Sequence, residues 1–135
     1  MNLRNNFQAI GRLTQDPVTF DNADGSKKVR FTLAVKDNYT GKDGERDSQF
    51  IPVEAFITAD AAAKNGIGVY GAMHQGDLVG VTGQIKNNNY KDKNGVDHYD
   101  LVLAIETRDL LEPKSVTDKR ALDRAVAAGA EGAQA

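Results

Sequence analysis

The chain has 135 residues, with 17 Lys and Arg against 19 Asp and Glu, a formal net charge of −2, and no cysteine. A length of this order predicts one domain able to bury an independent core, and the lack of cysteine excludes disulfides, thiolate catalysis and Cys-based zinc sites. No apolar N-terminal run marks a secretory signal and none approaches the ~20 residues of a membrane span, so a cytoplasmic protein with no membrane contact is expected.

In chain order, Asn5 to Phe20 alternates in part, with Phe7, Ala9, Gly11 and Leu13 sharing one parity until Asp16-Pro17 breaks the pattern. A turn-rich loop, Asp21 to Ser26, follows. Lys28 to Lys36 alternates cleanly: Val29, Phe31, Leu33 and Val35 point inward, and Lys28, Arg30, Thr32 and Lys36 outward. Gly41-Lys42-Asp43-Gly44 is a polar hairpin loop. The strand Ser48 to Phe56 puts Ile51, Val53 and Ala55 on one face and Phe50, Pro52, Glu54 and Phe56 on the other. Pro52 cannot donate to a ladder and belongs at an edge, a bulge or the end of pairing.

Ala59 to Lys64 is the best helical stretch before residue 113, stopped or made irregular by Gly66, Gly68 and Gly71. Asp77 to Tyr90 reads as a strand with Val79, Val81 and Ile85 inward and Lys86, Asn88 and Tyr90 on the opposite face. Asn94-Gly95 marks a tight turn in a basic loop. Tyr99 to Ile105 is the last strand, with Tyr99, Leu101, Leu103 and Ile105 on one side. From Lys114 the composition becomes Ala- and Gly-rich, which predicts a mostly disordered tail with a transient helix. Three strands, a short helix and two strands predict an all-β domain over 1–113, a five-stranded OB-fold Greek-key barrel with its helix between strands three and four, followed by a flexible tail over 114–135. An SH3-like barrel or an open sheet fits the same periodicity.

Phe50, Phe56 and Tyr90 fall on polar faces, where rings beside Lys and Arg offer surfaces for stacking nucleobases. Phe31, Phe7 and Phe20 read as core. Lys28, Arg30, Lys36, Lys42, Arg46, Lys86, Lys91 and Lys93 sit on outer faces and in two hairpin loops, a placement that suits a phosphate track as well as the ordinary solvated surface. Arg12 is a further candidate contact, or a structural partner for a carboxylate near Asp16. The charge balance weighs the other way: the first 113 residues carry −3 and the remainder +1. A stacking protein works with a locally basic groove.

Four segments together resemble bacterial single-stranded DNA-binding proteins. Gly11-Arg12-Leu13-Thr14-Gln15-Asp16-Pro17 is similar to that family's opening motif, and Phe31-Thr32-Leu33-Ala34-Val35 to its second strand. Gly76-Asp77-Leu78-Val79-Gly80-Val81-Thr82-Gly83-Gln84-Ile85 resembles its fourth strand, and Leu110-Leu111-Glu112-Pro113 the place where its folded domain ends. The match spans about residues 5 to 113, in order. The resemblance implies base stacking on Tyr39, which follows the second strand, on Phe50 and Phe56, and on Tyr90. It also implies a homo-oligomer, a tetramer with a dimer as the alternative. Three departures stand out: Asn87-Asn88-Asn89 before Tyr90, where relatives often carry basic residues; a longer, glycine-rich segment from Thr58 to Gln75; and the ending Glu131-Gly132-Ala133-Gln134-Ala135 in place of an acidic tip with a terminal phenylalanine. Tail-mediated recruitment of repair proteins is therefore not carried over. A phage, plasmid or accessory protein, or a shortened chain, would account for that ending.

The expected function is sequence-independent binding and protection of single-stranded DNA, serving replication, recombination or repair. The runner-up is an OB-fold protein-interaction module of a primosome-like assembly, and a nuclease ranks third. Catalytic residues, metal and cofactor are not expected. The only histidines, His74 and His98, lack ligand spacing, and Asp97 and Tyr99 point away from His98 on a strand. The glycines at 66, 68 and 71 lack the Gly-Lys-Ser/Thr element of a phosphate loop.

Overall fold

The computed structural model describes residues 3–42, 44 and 46–134, with the side chains of 38–40, 46 and 129–134 outside that description. Six strands and two helices account for most of it. The strands are β1 (Phe7–Leu13), β2 (Val18–Asp21), β3 (Lys27–Thr40), β4 (Arg46–Ile57), β5 (Leu78–Lys91) and β6 (Asp97–Leu110). Helix α1 (Ala59–Asn65) and a 3-10 turn (Gly68–Ala72) lie between β4 and β5, and α2 (Lys114–Gln134) follows β6. The sixth strand arises because Asp16-Pro17 cuts the first predicted segment in two. The piece beyond the break pairs antiparallel with β3, from Val18 opposite Arg30 to Asp21 opposite Lys27.

The hydrogen-bonded order is β1-β5-β6-β4-β3-β2, and β1 also pairs with β3 through Arg12–Ala34 and Leu13–Leu33. Neighbours are antiparallel except β4 and β6, which meet in parallel at Glu54 and Ala104. Pro52 pairs across to Thr32 of β3 and lies away from that single β6 contact, so most of β4 has a partner on one side only. Alternation fills the interior: Ala9 and Leu13 from β1, Val29, Phe31 and Leu33 from β3, Val53 and Ala55 from β4, Val79 and Val81 from β5. Tyr70 and Met73, in and just after the 3-10 turn, complete it. Each fully buried aliphatic or aromatic side chain contributes ~1.5–3 kcal/mol, far more than an exposed ion pair, so this interior holds the fold.

Helix α1 is too short to stand alone. Its ends are fastened: the Thr58 hydroxyl accepts from the Ala61 N–H at 3.3 Å, and the Gly66 N–H reaches the Ala62 carbonyl at 2.8 Å. The β5–β6 turn needs Gly95, whose φ is +79°.

The segment expected to be a flexible tail with a transient helix is helical as α2, and its first half makes contacts remote in sequence. Arg120 donates to Glu112 at 2.8 and 3.0 Å and to Asp77 Oδ1 at 3.0 Å, Arg124 donates to the Gln75 carbonyl, and Thr117 is buried. Phe20, expected in the core, is 45% exposed, since β2 is a short edge strand whose four residues all face solvent; the Arg30 guanidinium lies 5.8 Å from its ring centre. Ile85 is exposed although it shares parity with Val79 and Val81, because the β5–β6 hairpin runs on past the core. For the same reason Tyr99 and Leu101 are open to solvent while Leu103 and Ile105 pack against the core. No helix among the described residues is long and apolar enough to cross a membrane.

Candidate nucleic-acid interface

The outer face of β3 and β4 follows from register. Lys28 stands opposite Phe56, Arg30 opposite Glu54, Thr32 opposite Pro52, Ala34 opposite Phe50 and Lys36 opposite Ser48. Phe50 and Phe56 are 66% and 64% exposed. Such rings on a strand's solvent face contribute little to the core and leave their π-surfaces free.

Lys28 and Phe56 share a hollow of about 190 Å³ with Lys86 and Asn88 of β5 and with Glu54. Two lysines and a ring predicted from separate strands thus meet at one place. Glu54 tempers the charge there. It accepts two hydrogen bonds from Arg30, one from Nε at 2.8 Å, and lies 3.9 Å from Lys28 Nζ. The Glu54 side chain is only 13% exposed, so a phosphate arriving here competes with a carboxylate already held by Arg30 and Lys28.

Further along the same face of β5, Tyr90 is 47% exposed and stacks on His98 of β6, with ring centres 4.8 Å apart and planes 12° apart. The imidazole covers one face of Tyr90 and leaves the other open. His98 Nε2 lies 2.9 Å from Asp92 Oδ2. This hydrogen bond, joined by the Val96 and Asn94 N–H groups, holds the Asp92 carboxyl below the usual carboxylate range. The parity reading found Asp97 and Tyr99 pointing away from His98 but missed Asp92, which reaches back from the turn.

Lys36, Lys42 and Lys93 are exposed and, with Lys86, have no ion-pair partner among the described residues. Lys91 sits 4.0 Å from Asp97. The side chains of Tyr39 and Arg46 lie outside the described residues. Arg12 is placed apart from the rings: it donates to the Gly76 carbonyl at 2.9 Å and to Glu112 at 3.1 Å. Its carboxylate partner is therefore Glu112, where one near Asp16 was expected; Asp16 accepts instead from the Gln75 N–H at 2.8 Å. Glu112 also receives Arg120 and the Leu78 N–H, and the hydrogen bond from Arg120 leads the causes that bring its pKa from 4.5 to about 2. Arg108 went unremarked in the sequence; it lies 5.2 Å over the ring of buried Tyr70. No group of three or more His, Cys, Asp or Glu among the described residues could hold a metal ion.

The chain is 34% identical over 116 residues to the single-stranded DNA-binding protein of Enterococcus faecalis, a match covering 86% of this chain and 58% of that protein. It is 37% identical over 107 residues to the protein so named in Caldanaerobacter subterraneus subsp. tengcongensis, covering 78% of this chain and 67% of the relative. A Staphylococcus aureus relative, single-stranded DNA-binding protein 1, is 32% identical over 111 residues, covering 82% and 67%. The chain thus spans about three fifths of the Enterococcus protein's length. The profile of the Single-strand binding protein family matches residues 4–111, and the chain belongs to that family.

Proposed function

We propose that this protein binds single-stranded DNA without regard to sequence, on an OB-fold Greek-key barrel whose β3–β4 face and β5–β6 hairpin form the groove. The observation that carries the reading is the pair of two-thirds exposed rings, Phe50 and Phe56, on one face of β4, with Lys28 across from Phe56 and Lys86 in the same hollow. Bases stack on Phe50, Phe56 and the open face of Tyr90, and on Tyr39 by resemblance. Lys28, Arg30, Lys36, Lys42, Arg46, Lys86, Lys91 and Lys93 follow the backbone; Arg12 is left to its structural role. Stacking is worth ~1–3 kcal/mol per base and tolerates any base, since each has a π-face. Duplex hides those faces, so preference for single strands follows from the mechanism. Such binding shields the strand during replication, recombination or repair, and requires no chemistry of the protein.

Self-association as a tetramer or dimer belongs to the same reading. Exposed Ile10 and Leu111 line a broad hollow with Gly80 and Val81 across β1, β5 and β6, with Arg108 and Asp109 also in its wall, a partly apolar surface that a second copy could cover. Light scattering on the pure protein measures that state. The decisive experiment for function is fluorescence anisotropy of labelled oligo-dT against duplex of equal length, at two salt concentrations. Tighter binding to oligo-dT with a log–log salt slope near −0.7 per phosphate contact is expected. Equal binding to both, or to neither, overturns the proposal.

A further inference from the structure

Phe56 stands between two hollows. The basic one, with Lys28 and Lys86, is part of the interface above. The other, of about 310 Å³, opens beneath α1 and the 3-10 turn, and Phe56, Asn65, Ile67, Tyr70, Ile105 and Arg108 line it. A local irregularity of β6 builds this second hollow. Thr82 pairs with Thr107 and Gly83 with Ile105, so Glu106 is an extra, unpaired residue. In a regular strand Ile105 and Arg108 would face opposite sides; the bulge turns both into the same hollow.

Arg108 is the unusual member. Its guanidinium carbon lies 5.2 Å from the centre of the Tyr70 ring, and the side chain is exposed. Among the described residues it has no ion-pair partner. A guanidinium with unused N–H donors suits phosphate. Ile67 and Ile105 supply apolar walls for the face of a base, and the Asn65 amide can both donate to and accept from its edge. Glu106, which is exposed, also lines the hollow, and its carboxylate disfavours a phosphate on its own side.

We propose that this hollow is a second nucleotide subsite. The strand stacks one base against Phe56 on the Lys28–Lys86 side, passes over the ring, and seats the next nucleotide beneath α1 with its phosphate on Arg108. The inference rests on the single-strand reading and extends it to residues outside the original face.

The test compares Arg108→Ala, Arg108→Lys and Asn65→Ala with the unaltered protein on oligo-dT, with Phe50→Ala as the control for the underlying reading. Arg108→Ala is expected to weaken binding about tenfold and to flatten the salt slope by ~0.7, while Arg108→Lys keeps the slope. Asn65→Ala, at the exposed end of α1, is expected to lose about two- to fivefold with its slope unchanged. Should Arg108→Ala fail to fold, an unchanged affinity in Asn65→Ala overturns the subsite. If Phe50→Ala weakens binding while the Arg108 and Asn65 variants match the unaltered protein, the subsite is overturned and the stacking reading survives. If Phe50→Ala also binds unchanged, the stacking reading itself fails. A change of oligomeric state without loss of oligo-dT affinity would assign the hollow to a second copy of the chain and overturn the subsite.

Discussion

Replacing Phe56 by alanine separates a ring that binds from a ring that folds. The side chain keeps about a third of its surface buried. Full burial of a phenylalanine contributes ~1.5–3 kcal/mol, so the loss to stability should be about 0.5–1 kcal/mol. For a chain of this length that lowers Tm by ~2–5 °C. Loss of one stacked base costs ~1–3 kcal/mol of binding, or about 5- to 150-fold in Kd. The two effects differ enough to resolve by circular dichroism melting and oligo-dT anisotropy on one preparation. Phe50 lies six residues away on the same strand, about 20 Å at ~3.3 Å per residue. At that distance the Phe50→Ala and Phe56→Ala penalties should add. A large fall in Tm with unchanged affinity would show that Phe56 serves the core and would remove it from the binding face.

Lys86→Ala should flatten the salt slope by ~0.7 while leaving the melting curve in place, as expected of an exposed lysine with no ion pair; an unaltered slope would take Lys86 off the backbone track. Gly83→Ala should destabilise the protein by at least ~1–3 kcal/mol in urea titration, because a Cβ there would run into the Ala104 carbonyl and the Phe7 ring at the β5–β6 bulge; wild-type stability would mean the strands separate freely there. The acid limb of stability should depend on Glu112. Its folded pKa of about 2 lies below the ordinary 4.5, so its contribution is fully present above pH ~4.5 and disappears as pH falls toward ~2. Glu112→Gln should flatten the loss of Tm across that window, and parallel curves for the two proteins would refute the assignment.

Much of the site was legible because alternation is a local property. The exposure of Phe50 and Phe56, and the burial of Val29, Phe31, Leu33, Val53 and Val79, follow from parity within single strands. Parity says nothing of how far a strand outruns the core. Ile85, Leu101 and Tyr99 therefore looked inward while lying on a hairpin with nothing beneath it. It also assumes an unbroken ladder, and the unpaired Glu106 lies just past Ile105, where the predicted strand stopped, so Arg108 was not read at all. The docking of α2 was hidden for another reason. Arg120 finds Asp77 and Gly76 some forty residues earlier, and pairings at that separation leave no mark on composition. The partner of His98 was not legible because Asp92 lies across the turn rather than beside it in sequence.

The net charge of −2 is the remaining obstacle to a nucleic-acid reading, and the structure shows how it is distributed. Several carboxylates are engaged within the protein: Asp77 and Glu112 with Arg120 and Arg12, Asp21 with Lys27 at 2.5 Å, and Asp92 with His98. Lys36, Lys42, Lys86, Lys93 and Arg108 have no such partner among the described residues. Screening limits exposed charges to about 8–10 Å at physiological salt, so a phosphate at Phe56 responds to Lys28, Lys86 and Glu54 and hardly to the chain total. Glu54 is the only carboxylate lining that basic hollow, and it is held between Arg30 and Lys28. A phosphate there competes for the same two cations with this carboxylate, whose side chain is only 13% exposed. The phosphates then add little net energy at this point of the track, and the energy of binding there has to come from the ring.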